Sequence, residues 1–178
     1  MTRINQLSDD NANPQAAELF GAIKSKIGMV PNLYRVMANQ PAVLAASLGF
    51  GEALSKGSFN AKTREAIALT VAGENACDYC ASAHTAIARS LKVGDEEAAR
   101  NLRGDSADPH LAAILSLAAD IVRERGFVTD AQLAQAREAG LDDGAIVETI
   151  ANVIANIFTN YVNHVAQTDI DFPVVKAA

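Results

Sequence analysis

The stretch Asn75-Ala76-Cys77-Asp78-Tyr79-Cys80-Ala81-Ser82-Ala83-His84 contains the only two cysteines of the chain, with two residues between them and a histidine four positions after the second. A thiol pair at this spacing ahead of a histidine reads as redox chemistry rather than packing. Placed on a helix at roughly 100° per residue, Cys77, Cys80 and His84 fall within about a 60° arc of one face. Cys80 and His84 are i,i+4 neighbours, close enough for a hydrogen bond. Cys77 and Cys80 are i,i+3, about 5 Å apart at Cα, so the pair can cycle between dithiol and disulfide with little backbone movement.

The same stretch decides the fold, because thiols at this spacing also occur on thioredoxin-like sheets. This chain has no alternating apolar/polar run between Asn-Gly or Asp-Gly turns, and helical periodicity recurs instead. Residues 61–73 read as one helix, with Asn60 as its cap and Gly73 at its end. Asn75 reads as the cap of a second helix, 76–92, with Asp78 at its third position in the manner of a capping box. If the turn lies near 74–75, Glu65 stands about ten residues before it and His84 about nine after, which makes them level at 1.5 Å per residue. A carboxylate reaching an imidazole that reaches a thiol is a proton-transfer chain that favours thiolate. Two effects compete over which thiol leads. Cys77 lies in the first helical turn, where the macrodipole acidifies it; Cys80 has His84 directly behind it. These effects are comparable, and the residues alone leave the order open.

Outward from the hairpin, proline, glycine and capping residues punctuate further helices: 14–27 after Asn13, a short one from Pro31 to about Met37, and Pro41 to about Leu54. Others follow from Asp95 to about Leu102, over 109–125, from Thr129 over 130–139, and over 142–167, the longest. The tail after Asp169 contains Pro173 and reads as extended. In the long helix Asn160, Asn163 and His164 interrupt an apolar pattern; the expectation is that they satisfy one another or a subunit interface. His110 reads as exposed near a helix start. A shift of 83 residues lays Glu65 on Glu148, and Cys77 and Cys80 on Asn160 and Asn163, a weak hint of internal repetition. The expected organisation is one all-α domain of 178 residues: N-terminal helices over 1–57, a core over 58–168 and a tail over 169–178. Hydrophobic residues make up 49% but aromatics only 5%, a composition suited to closely packed helices.

The net charge of −6 argues against nucleic acid or an anionic membrane as the main partner. The first residues lack the apolar core of a signal peptide, and no run of about 18 apolar residues occurs, so a cytoplasmic protein is expected. There a CxxC pair is catalytic or metal-binding rather than a permanent bridge. Cys77, Cys80 and His84 would supply three zinc ligands, but with no second CxxC neither metal nor any bound cofactor is expected.

Glu65, eleven residues, Cys77, two residues, Cys80, three residues, His84: this pattern resembles that of the alkylhydroperoxidase AhpD branch of the carboxymuconolactone decarboxylase family. The end of the chain, Asn160-Tyr161-Val162-Asn163-His164 through Asp169-Ile170-Asp171-Phe172-Pro173, is similar to a peroxidase-related subgroup of that family. The resemblance implies an AhpD-like helical bundle, a homo-oligomer and thiol-dependent reduction of a hydroperoxide. It implies that Cys80 attacks the peroxide, Cys77 resolves the product to a disulfide, Glu65 and His84 relay protons, and an external dithiol or redox protein supplies electrons. One position departs from the pattern. The well-studied alkylhydroperoxidases have a histidine immediately before the later cysteine, where this chain has Tyr79. A phenol with a pKa near 10 is a poor base at neutral pH, so Tyr79 is a possible contributor to the site and the relay falls to His84. Two other readings accompany this one: a redox sensor or thiol-disulfide partner protein without sustained turnover, and a carboxymuconolactone-decarboxylase-type enzyme, whose branch does not depend on a CxxC.

Overall fold

Seven consecutive residues of one helix, Ala66 to Ala72, are buried, and a helix apolar all round belongs at the centre of its neighbours. This helix, α4 (Ala61–Glu74), packs against α5 (Asp78–Ser90), α6 (Asp95–Leu102), α7 (Pro109–Arg123) and α9 (Asp143–Ala166). The structure is a computed structural model that describes residues 2–177. Its remaining helices are α1 (Pro14–Ile27), α2 (Asn32–Met37), α3 (Pro41–Leu54) and α8 (Asp130–Glu138). No strand occurs among the described residues, so the all-α reading holds.

Two apolar clusters flank α4. Ile67 and Val71 join Ile114, Leu115, Leu117 and Val153 of α7 and α9. On the other side Ala72 joins Phe20 and Ile23 of α1, Leu33 and Met37 of α2, Leu44 of α3, and the start of α5. Thr70, fully buried within α4, donates to the carbonyls of Ala66 and Asn101, so its hydroxyl is satisfied.

Most helix ends follow the sequence signals. The side chains of Asn13, Asn60, Asp108 and Asp142 accept first-turn N–H groups, and Thr129 with Gln132 forms a capping box. The turn before α5 does not follow the expectation. α4 runs past Gly73 to Glu74. Gly73 is required there because a Cβ would meet the carbonyl oxygen of Leu102 at the end of α6, a close approach and not a helix stop. Asn75 is not the cap of the second helix; Ala76 takes φ 51°, the Cys77 amide bonds back to the Ala72 carbonyl at 2.9 Å, and Cys77 itself is the cap. Asp78 is therefore the first helical residue and makes no capping box. α5 stops at Ser90, short of the expected 92, and Gly94 caps α6.

The possible repeat has no structural counterpart, since 61–90 is a hairpin and 143–166 one unbroken helix. One pair 83 positions apart, Cys80 and Asn163, meets in space instead. α9 is long and apolar enough to cross a membrane by length and composition, but its inner face carries buried Thr149, Asn152, Asn160 and Asn163 against the other helices. Beyond α9 the tail is non-helical and doubles back over the first turn of α5. Val175 N–H donates to Ser82 Oγ at 2.9 Å, Ala177 N–H to Asp78 Oδ1 at 3.0 Å, and Lys176 pairs with Asp78 at 2.6 Å.

Candidate active site

The hairpin brings Glu65 and His84 together as their spacing predicts. Glu65 Oε2 lies 2.7 Å from His84 Nδ1, with each side chain about one-fifth exposed. Burial pushes the imidazole toward its neutral form, but the Glu65 charge and hydrogen bond outweigh it, and the His84 pKa is raised. With Nδ1 held by Glu65, Nε2 remains for another partner. The expected hydrogen bond between Cys80 and His84 is not formed among the described residues. The ring turns across the hairpin to the carboxylate, which offers a charge-assisted bond that a thiol cannot match.

Both thiols are free, and each residue is 2% exposed. As the α5 cap, Cys77 Sγ accepts the Cys80 N–H at 3.4 Å. The Cys80 thiol also donates toward Cys77, which lowers the Cys77 pKa against the opposing effect of burial. The same bond, followed by burial, raises Cys80. Of the two thiols, Cys77 is therefore the easier to ionise and Cys80 the harder. Access divides the two residues the other way: Cys80 lines a cavity of about 1300 Å³ and Cys77 does not.

That cavity lies among α2, α3, α4, α5 and α9. Glu65, His84, Tyr79 and Cys80 stand in its wall, and Leu33, Phe50, Ala83, Ile87, Ile154, Phe158 and Phe172 give it a largely apolar lining. Tyr79 contributes its ring to the wall but its hydroxyl elsewhere. The hydroxyl donates to Asp171 Oδ1 at 2.8 Å and accepts the Leu33 N–H at 3.1 Å, while Asp171 Oδ2 accepts the Asn32 N–H at 2.8 Å. Burial above all, with Asp171 nearby, drives its pKa far up. Tyr79 thus ties the tail and α2 to the first turn of α5, and its phenol is not placed to carry protons.

Two residues next to the thiols were expected to satisfy one another or an interface. Instead Asn163 Nδ2 donates to Cys80 Sγ at 3.2 Å, and Asn160 Oδ1 accepts from Asn75 Nδ2 at 3.0 Å. Both side chains are buried, and neither lines the cavity. The signal that could have found them is a polar pair three residues apart on an apolar helix, which needs polar partners to be buried. His164 and His110 are exposed and take no part in the site. Among the described residues no group of three or more His, Cys, Asp or Glu is arranged to hold a metal ion.

Residues 41–108, which include Glu65, Cys77, Cys80 and His84, match the carboxymuconolactone decarboxylase family. That match spans 68 of the 178 residues, and the chain as a whole has the AhpD-like fold. A structure described as an alkylhydroperoxidase AhpD core, an uncharacterised peroxidase-related protein from Ralstonia eutropha JMP134, is similar over 96% of this chain and 92% of its own, at 21% identity and a TM-score of 0.85. An uncharacterised peroxidase-related protein from Silicibacter sp. TM1040 is similar over 94% and 91%, at 24% identity and a TM-score of 0.83. The debrominase Bmp8, solved in complex with 2,3,4-tribromopyrrole, is similar over 96% and 92%, at 19% identity and a TM-score of 0.80. No curated protein sequence gives a significant match.

Proposed function

We propose that the protein is a thiol-dependent hydroperoxide reductase in which Cys80 attacks the peroxide and Cys77 resolves the product. The observation that carries this reading is that Cys80 stands in the cavity wall beside the Glu65–His84 pair, while Cys77 lies within reach behind it. The proton on Cys80 passes to Cys77, leaving the Cys80 thiolate. The thiolate attacks the terminal peroxide oxygen and the O–O bond breaks, giving the sulfenic acid and an alkoxide. Protonated His84, held in that state by Glu65, donates its proton to the alkoxide, which leaves as alcohol. The Cys77 sulfur then attacks the sulfenic sulfur; a disulfide forms and one water leaves. An external dithiol restores both thiols by exchange and is itself oxidised, so each peroxide consumes two electrons. The apolar lining supports an organic hydroperoxide over hydrogen peroxide.

Steady-state turnover of an organic hydroperoxide with a dithiol donor tests this. Cys80→Ser is expected to abolish turnover while the fold persists. If peroxide oxidises the wild type only stoichiometrically and no donor sustains turnover, the redox-sensor reading replaces the enzyme. Activity that survives Cys80→Ser would instead favour a decarboxylase-type reaction.

Assembly into a homo-oligomer belongs to the same proposal. Val147, Ile150, Ile154, Phe158, Tyr161 and Val165 lie 41–63% exposed along one stripe of α9, an unusual amount of apolar surface for an unpartnered helix. Sedimentation is expected to show a species heavier than the 18.7 kDa chain; a monomer at every concentration would remove this part. A soluble cytoplasmic setting, in which a dithiol donor is available, accords with the scheme, and exclusive recovery in a membrane fraction would contradict it.

A further inference from the structure

The proposed reaction needs negative charge on Cys80, yet Cys80 is the thiol that its surroundings make harder to ionise. The bond to Cys77 and, after it, burial both oppose its thiolate. Another influence must offset them, and the cavity side does not supply it. Its nearest charged pair, Glu65 and His84, is engaged with itself at 2.7 Å. Outside the cavity lining, two buried carboxamides of α9 lie near the sulfur.

Asn163 Nδ2 donates to the sulfur at 3.2 Å. One turn earlier on α9, Asn160 has no exposure, and the Asn75 amide donating to its Oδ1 determines which end of its carboxamide is occupied. Its Nδ2 is thereby turned the other way and has no hydrogen-bond partner. A buried donor without a partner is rare in a folded protein and calls for an explanation. One that lies next to a nucleophile is used when charge develops there, and the fold has already positioned it. Asn160 acts on the Cys80 sulfur in the same stabilising direction as Asn163.

We infer that Asn163 and Asn160 form an amide cradle that holds the thiolate on Cys80, so that proton transfer from Cys80 to Cys77 delivers the charge to the cavity-facing sulfur. Asn163 touches the reacting atom and is a catalytic residue. Asn160 is an unpartnered donor beside it, and Asn75 is a positioning residue that orients Asn160. The inference rests on the assignment of Cys80 as the attacking thiol. The titratable and charged groups near this sulfur are Cys77 and, on α5, Asp78, Tyr79 and His84; Glu65 of α4 and Tyr34 of α2 share its cavity wall, and Asp171 of the tail is bound to the Tyr79 hydroxyl. α9 faces it with amides alone, so removing an amide changes no charge.

The test is the rate of alkylation of each cysteine by iodoacetamide against pH, read by peptide mass spectrometry on the reduced protein. No peroxide is involved. In Asn163→Leu the Cys80 profile should move up by about one pH unit, a roughly tenfold slower reaction at pH 7, while the Cys77 profile stays in place. Asn160→Leu should shift Cys80 in the same direction and by less. Asn163→Asp, nearly isosteric, places a carboxylate at the sulfur and should shift it further up than leucine does; it also serves if the leucine variant does not fold. A Cys80 profile unchanged in folded Asn163→Leu or Asn163→Asp, or an equal shift in both cysteines, overturns the cradle. A protein without peroxide turnover that still shows the selective shift loses the peroxidase reading and keeps the cradle; turnover with no shift does the reverse.

Discussion

The hairpin of α4 and α5 and the long helix α9 meet at one sulfur and contribute opposite things. The hairpin carries the four groups that exchange protons and electrons in the proposed reaction: Glu65, Cys77, Cys80 and His84. The inner face of α9 adds carboxamides and hydroxyls among apolar Ile146, Val153 and Ala166, and its outer face is an exposed apolar stripe. Two carboxylates sharpen the contrast. Glu65 points across the hairpin to an imidazole at the cavity. Glu148, near the start of α9, accepts the amides of Ser58 and Phe59 and the Ser58 hydroxyl, closing the loop before α4 at the far end. A carboxylate paired with one imidazole at a cavity can pass a proton. A carboxylate saturated by backbone N–H groups holds a loop and has no group to exchange with. Chemistry is thus concentrated in 61–90, and its environment is supplied from 143–166.

The largest test of this division falls on the Glu65–His84 pair. His84→Ala should lower turnover by about 10²–10⁴-fold, the usual contribution of a general acid, with little loss of stability. Glu65→Gln should act through pH instead. Glu65 keeps the His84 pKa raised against burial. Without it burial prevails, the imidazole loses its proton at lower pH, and the alkaline limb of the rate profile moves toward acid. An unmoved limb would exclude His84 as the proton donor.

Glu148→Ala should do the reverse, costing about 1–2 kcal/mol of stability in denaturant unfolding while kcat stays unchanged. Burial raises the Glu148 carboxyl, but the Ser58 and Phe59 donors outweigh it and hold its pKa below the usual carboxylate value. The sign follows from that. Its stabilisation is present above the unfolded-state pKa and is lost as pH falls through the folded one. The gap between wild type and variant should therefore close on acidification; a gap that widens would contradict the role.

The smallest expected effect is on Tyr79→Phe. The ring stays in the cavity wall, and the Leu33 N–H and Asp171 lose their shared hydroxyl. About 1 kcal/mol of stability should go, with faster amide exchange in 170–177 and turnover within twofold. A fall of a hundredfold would mean that the phenol does carry protons.

Much of the hairpin was legible in the chain, because its geometry is local. Helical rise and angle alone bring Glu65 level with His84 and set Cys77 and Cys80 on one face, whatever packs around them. The turn was read two residues early at Asn75, since Ala76 in the left-handed region carries no sequence signature. Gly73 was misread for a related reason: a glycine that ends a helix and one that admits a neighbouring carbonyl look the same in a chain. The Cys80–His84 bond was overestimated because i,i+4 proximity does not reveal a stronger partner on another helix.

The all-α architecture, most of the helix caps and the spacing of the four-residue set were therefore readable from the chain, since each rests on periodicities of a few residues. Tertiary structure alone decided which thiol faces the cavity, where the Tyr79 hydroxyl is bound, and that Asn163 lies against Cys80. Those outcomes depend on contacts between residues 46 to 92 positions apart. No local period encodes such a contact; it arises only when the apolar faces of several helices are buried together and their few polar groups must find partners inside.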